Sequence, residues 1–286
     1  LASYYGLNED QVFVGVGSDD VLAMSFLTFF NSDKPVLFPD VTYSFYKVWA
    51  DLFKVPFETP VLKEDFTIDV KDYEKENGGV IFPNPNAPTG VYMPLDQVEE
   101  ILKANQDVVV IVDEAYVDFA GPSALELLDK YENLLVVQTF SKSRSMAGMR
   151  IGFAMGHPDL IRALNDVKYS YNSYTMNLPS LLAGVEAVKD KEYFEKTIEK
   201  IVATREHAKK RLTELGFTFP NSQSNFIFAS HKSVPAEKIF EALKKEQIYV
   251  RYFKTPGLDN SLRISIGTDE EMDTLFRFLE AYLPNA

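Results

Sequence analysis

The chain has 286 residues, 46% of them hydrophobic and 25% charged, so it can bury a large core and is not a disordered polymer. A formal net charge of −13 argues against nucleic acid as the main partner, because neutralising phosphates takes a basic face, but it leaves room for a local basic pocket. Without cysteine, disulfides and thiol nucleophiles are excluded; three scattered histidines (His157, His207, His231) disfavour zinc, and no apolar run reaches the roughly 20 residues that span a bilayer.

The first strand-like run, QVFVGVG (11–17), leads into a helix candidate, SDDVLAMSFLTFF. At that junction Gly17 permits close backbone approach, and the free amides of Ser18 and Asp19 suit an anion such as phosphate. The competing reading is a plain helix cap by Ser18 or Asp19, with Asp20 favourable to the dipole. A second strand, PVLFPD (35–40), precedes VTYSFY, which carries Tyr43. A third, GGVIFP (78–83), runs into PNPNAPTG (83–90), a rigid loop that presents the amides of Asn84 and Asn86 or is simply a proline-rich turn.

After the helix candidate MPLDQVEEILKAN comes VVVIVDEAY (108–116), an apolar strand ending in Asp113 and Glu114. An unpaired carboxylate there would be costly to desolvate, so Asp113 needs a cationic or hydrogen-bonding partner. A magnesium-nucleotide role fails, because G-x-x-x-x-G-K-[ST] occurs nowhere, and GVGSDD lacks the third glycine of a dinucleotide fingerprint. The S-x-x-K at Ser44–Lys47 has neither K-T-G nor S-D-N beside it.

The strand LLVVQTF (134–140) opens into SKSRSMAGMRIG, where Lys142, Arg144 and Arg150 sit among Thr139, Ser141 and Ser143. Either this is a solvated basic loop, or Lys142 is an amine nucleophile toward a carbonyl while the hydroxyls and Arg150 hold a phosphate. Arg144 has no such task and reads as a solvated charge. A strand at 150–156 and the helix candidate PDLIRALNDVKYS follow, so the pattern is α/β with a largely parallel sheet.

From Pro179 the texture becomes long, helical and charged, with a stop at Gly216. NFIFAS, a helix at 236–246, YVRYF, LRISIG and a helix from Asp269 then suit a smaller α+β domain. We place the boundary near Lys189, giving a large domain over 1–189 and a small one over 190–286. The chain begins at Leu1 with a run that reads like the middle of a domain, so upstream sequence is expected.

Together GSDD, PNPNAPTG, DEAYVDF, TFSKSRSMAGMRIG and LRISIG, in this order and spacing, resemble the pyridoxal-phosphate-dependent aminotransferases of fold type I, and most closely the histidinol-phosphate aminotransferases. The resemblance covers essentially the whole chain. It implies a mostly parallel seven-stranded sheet between helices, a smaller C-terminal domain, a cytoplasmic homodimer with sites at the subunit interface, and histidine biosynthesis as the setting. Lys142 would be the Schiff-base lysine and proton carrier. Asp113 would pair with the pyridine nitrogen, Tyr116 with the phenolic oxygen, and Tyr43 would stack on the ring. Arg150, Thr139 or Ser141, and the amides at Ser18 and Asp19 would clamp the 5′-phosphate. Arg263 would take the α-carboxylate of glutamate, and Arg251 the phosphate of histidinol phosphate.

The family has asparagine directly before P-T-G, where this chain has Ala87; either Asn86 supplies that contact from one position earlier or Tyr116 carries it alone. The family also starts some tens of residues earlier, with tyrosines used in substrate recognition. Aromatic amino acids, or a threonine-phosphate decarboxylase reaction, are alternatives on the same machinery. A non-catalytic regulatory module is a third reading; it would expect a DNA-binding domain, and no basic helix-turn-helix is visible.

Overall fold

Every residue of four successive strands is buried, as expected when helices cover both faces of a sheet. The computed structural model describes residues 1–286. In chain order the first unit contains α1 (Ala2–Tyr5), β1 (Val12–Gly15), α2 (Ser18–Phe29), β2 (Val36–Leu37), α3 (Phe45–Phe53), β3 (Phe57–Glu58), β4 (Gly79–Pro83), α4 (Leu95–Ala104), β5 (Val110–Asp113), β6 (Leu134–Thr139), β7 (Gly152–Gly156), α5 (Pro158–Tyr171) and α6 (Leu178–Lys189). Its seven strands are ordered β1-β7-β6-β5-β4-β2-β3; β7 is antiparallel to both neighbours and the other pairs are parallel.

Strand alternation splits the core in two. Ile111, Leu135 and Val137 pack with Phe26, Tyr46, Trp49 and Ile161 from α2, α3 and α5. Val110, Val112, Leu134 and Val136 pack with Val98, Ile101 and Leu102 of α4 on the other face. The register then fixes where the polar residues emerge. Asp113 is opposite Pro83 on one side and Val137 on the other, and Gly152 is opposite both Thr139 and Gly15. The carboxyl ends of β1, β4, β5 and β6 therefore converge with the start of β7, the edge at which ligands of such sheets bind.

The charged stretch after Pro179 is two helices. Asp190 ends α6 and, with its carboxylate accepting from the Tyr193 amide at 3.3 Å, starts α7 (Lys191–Glu214). That turn interrupts what the composition reads as one helical run. Then come β8 (Phe217–Thr218), β9 (Phe226–His231), α8 (Ala236–Lys245), β10 (Arg251–Tyr252), β11 (Leu262–Ser265) and α9 (Asp269–Tyr282). These strands form an antiparallel sheet ordered β10-β11-β9-β8, with its own core of Leu212, Ile227, Ile239, Ile264 and Leu275. No helix is long and apolar enough to cross a membrane.

The two units are joined by backbone and charge. Arg205 of α7 is 6% exposed; its Nη1 donates to the carbonyls of Phe119 at 2.8 Å and Ser224 at 3.2 Å. The Gln223 amide donates to the Gly90 carbonyl at 2.8 Å. Arg205→Leu would leave both carbonyls short of a charged donor, so a loss of about 2–4 kcal/mol is expected in chemical denaturation. A loss under about 1 kcal/mol would show that these bonds do not tie the units together.

Candidate active site

The start of α2 is built to meet an anion. Its N-cap is Gly17, at φ 89°, and no side chain caps the helix, so the reading of Ser18 or Asp19 as simple caps does not hold. The first-turn amides of Ser18 and Asp19 are left for another acceptor. Two tight approaches shape this end. A Cβ on Gly152 would fall 2.2 Å from the Gly17 carbonyl carbon and the Ser18 nitrogen. A Cβ on Gly17 would fall 2.4 Å from Arg150 Nη2. Arg150 adopts a left-handed backbone (φ 52°, ψ 60°), which costs a non-glycine residue about 1–2 kcal/mol. Its guanidinium thus lies against the glycine turn, where it also donates to the Ala147 carbonyl at 3.1 Å.

Thr139 and Ser141 lie on the loop beside it. The buried Thr139 hydroxyl donates to the Ile151 carbonyl at 3.2 Å and accepts from the Ser141 amide at 3.1 Å, fixing the turn that carries Lys142. Lys142 is exposed, with Nζ 5.3 Å from the centre of the Tyr116 ring. Tyr116 is buried beside Ala87, Phe119 and Phe226, and meets the Phe226 ring edge-on at 5.0 Å.

Asp113 is 4% exposed at the end of β5. Its Oδ2 accepts from the Tyr46 hydroxyl at 2.7 Å and its Oδ1 from the Ala115 amide at 3.3 Å. Burial pushes its carboxyl up to about 6 against the pull of these two donors; the nearby Asp19 charge adds to the rise, and Lys142 opposes it. A cationic ring nitrogen beside Asp113 would restore the ionised form. Glu114 points to the other face, where it accepts from Ser123 Oγ and the Ala124 amide at 2.6 Å and Gln138 Nε2 at 2.9 Å. Burial raises it to about 7 despite those bonds.

Tyr43 donates to Asp19 Oδ1 at 2.9 Å and packs edge-on to Tyr46 with ring centres 5.8 Å apart. Asn86 is buried, and its Nδ2 is committed to the Val41 carbonyl and Thr89 Oγ1, both at 3.0 Å, leaving only its Oδ1 without a partner. Arg251 and Arg263 are directly opposite across β10 and β11. Arg263 lies 5.0 Å over the Phe226 ring and its buried Nε has no partner. Phe226 therefore connects this arginine pair to Tyr116.

Arg144 corrects the sequence reading. It is half-buried, donating from Nη1 to the Ala187 carbonyl at 2.6 Å and lying 4.0 Å over the Phe194 ring, with Phe140 and Tyr4 also within 5.3 Å. Distant aromatic residues on α1 and α7 make this stacking site, so the local run of charges could not reveal it. The sequence reading also missed Tyr46 and Phe226. Tyr46 follows Tyr43 at helical spacing in VTYSFY, a signal that could have found it.

An uncapped helix start with an arginine on a glycine turn, an exposed lysine, a buried carboxylate and an unpartnered guanidinium nitrogen fit a phosphorylated nitrogen heterocycle and an anionic substrate. The fold and site thus define a pyridoxal-phosphate-type enzyme of the α/β class. The family described as aminotransferase class I and II matches residues 1–279, and the chain belongs to it; the family is pyridoxal-phosphate-dependent. A histidinol-phosphate aminotransferase of Clostridium acetobutylicum is 55% identical over 95% of this chain and 77% of that protein. One of Brachyspira hyodysenteriae is 50% identical over 100% of this chain and 81% of that protein. In fold, the chain is similar to the structure of histidinol-phosphate aminotransferase from Sinorhizobium meliloti in complex with pyridoxal-5′-phosphate, with a TM-score of 0.87 and 24% identity over 99% of this chain and 78% of that one.

Because the folded Asp113 carboxyl sits above the ordinary value of 3.8, the folded protein binds more protons than the unfolded chain between about pH 4 and 6, and its stability falls as pH rises through that window. Denaturation of the cofactor-free protein is expected to show Asp113→Asn losing about 2–3 kcal/mol less than wild type across it. Parallel pH profiles would refute burial as the dominant influence on this carboxyl.

Proposed function

We propose that this chain transfers the amino group of histidinol phosphate to 2-oxoglutarate, giving imidazole-acetol phosphate and glutamate, with pyridoxal phosphate as cofactor. Relatives 50–55% identical carry the name histidinol-phosphate aminotransferase. The observation that carries the reading is the arginine pair. Two cations held side by side on β10 and β11, one with a buried nitrogen lacking a partner, favour a substrate that brings anions of its own. Histidinol phosphate brings a phosphate, and glutamate two carboxylates.

When bound, the cofactor supplies an electron sink for the negative charge that develops at substrate Cα. The chain does the rest. Lys142 Nζ is the covalent anchor and moves the proton at substrate Cα. Asp113 pairs with the ring nitrogen and Tyr43 stacks on the ring. Tyr116 donates to the phenolic oxygen; the amide nitrogen of Asn86 is already committed to Val41 and Thr89, so Asn86 has no donor left for that contact. Arg150, the amides of Ser18 and Asp19, and Thr139 or Ser141 hold the 5′-phosphate. Arg263 takes the α-carboxylate of the 2-oxoglutarate/glutamate pair and Arg251 the phosphate of histidinol phosphate.

The division at 189/190 belongs to this reading: α6 gives way to α7 there, and closure of the smaller unit over an anionic substrate carries the two arginines. So does a homodimer. Leu178, Leu181, Leu182 and Val185 form an exposed stripe along α6, and Phe45, Val48 and Leu52 form another on α3, surfaces suited to a second copy. A cytoplasmic setting belongs to the same reading.

Turnover with 2-oxoglutarate should favour L-histidinol phosphate over phenylalanine and threonine phosphate; a preference for phenylalanine would overturn the substrate assignment. Arg251→Ala should lower kcat/KM for histidinol phosphate by about 10–100-fold while sparing phenylalanine. Borohydride treatment of the holoenzyme followed by peptide mapping should label Lys142, and a label on another lysine would remove it from the anchor role.

A further inference from the structure

We infer that Tyr46 is a positioning residue for the cofactor's ring nitrogen: its hydroxyl fixes one oxygen of Asp113 and leaves the other for the ring. The inference rests on the reading that Asp113 pairs with that nitrogen. Tyr46 is wholly buried on α3, enclosed by the rings of Phe26, Phe38, Tyr43 and Trp49 with centres 5.8–6.3 Å away. Caged on these sides, its ring cannot swing away.

The hydroxyl has one proton, and it goes to Asp113 Oδ2 at 2.7 Å. A phenylalanine would fill nearly the same volume, and a buried hydroxyl without a partner costs free energy. What the oxygen adds is a charge-assisted hydrogen bond to a desolvated carboxylate, which favours the ionised form and stops its rotation. Oδ1 keeps only the long 3.3 Å contact with the Ala115 amide, so it has capacity for a further donor. Asp19, Tyr43 and Lys142 are the other titratable groups that act near this pair. Tyr43, three residues before Tyr46, ties to Asp19 at the start of α2. One turn of chain thus braces both the phosphate end and the nitrogen end of the site.

The test combines the cofactor-free protein and a double-mutant cycle. Carbon-13 NMR of the Asp113 carboxyl should show its titration midpoint rise by about one pH unit or more in Tyr46→Phe. Pyridoxal phosphate affinity should fall about tenfold in Tyr46→Phe and further in Asp113→Asn, whereas adding Tyr46→Phe to Asp113→Asn should weaken binding no more. An unmoved midpoint, or losses that simply add, would overturn the positioning role. Wild-type affinity in Asp113→Asn would instead overturn the ring-nitrogen reading and take this inference with it. If Tyr46→Phe does not fold, a fluorinated tyrosine at position 46 keeps the shape and strengthens the donor; the midpoint should then fall, and an unchanged midpoint would equally sink the role.

Discussion

Asp113 must be ionised to hold a cation, yet it sits at the buried end of an apolar strand, and much of the site can be read as the set of groups that reconcile those demands. The Tyr46 hydroxyl, the Ala115 amide and the charge of Lys142 pull the carboxyl toward ionisation, while burial and the Asp19 charge push the other way. The neighbouring Glu114 shows the contrast. Strand alternation sends it to the opposite face, where three donors satisfy it and Gln138 links it onward to the Tyr5 hydroxyl. Two adjacent carboxylates thus have separate duties: one knits β5 to β6 and the following loop, and the other keeps an oxygen available.

The same economy governs the smaller unit. Phe226 is the first residue of β9, and its ring touches both Tyr116 and the Arg263 guanidinium. Arg263 is therefore braced against Tyr116 through a single aromatic side chain. Arg205 and the bond from Gln223 to Gly90 hold the units together at the same border. The Gly90 end of that border belongs to the proline-rich loop, so the loop and the smaller unit share a backbone hydrogen bond.

Much of this was legible in the sequence because it is local. Uninterrupted apolar runs marked β4 to β6, and the polar residues after them, Asp113, Lys142 and Arg150, lie at the strand ends the topology brings together. The spacing of Tyr43 and Tyr46 marks one helical face, but the partner of the Tyr46 hydroxyl lies 67 positions away and is set only by the fold. Arg144 was misread for the same reason: a guanidinium among aromatics from α1, the β6 loop and α7 looks like a solvated charge until the chain is folded. Asn86 could not be decided from spacing, since the direction of its amide depends on Val41, far back in the chain.

The meeting of Gly152 with the Gly17–Ser18 peptide has a further consequence, for the order in which the molecule comes together. These residues are more than 130 positions apart, and their approach depends on β1 pairing with β7, an antiparallel edge whose formation has to meet the entropic cost of closing that long loop. The glycine turn and Arg150 thus come together only in chains where this edge is paired. An anion held there would add its binding free energy to the paired sheet and not to partly folded chains.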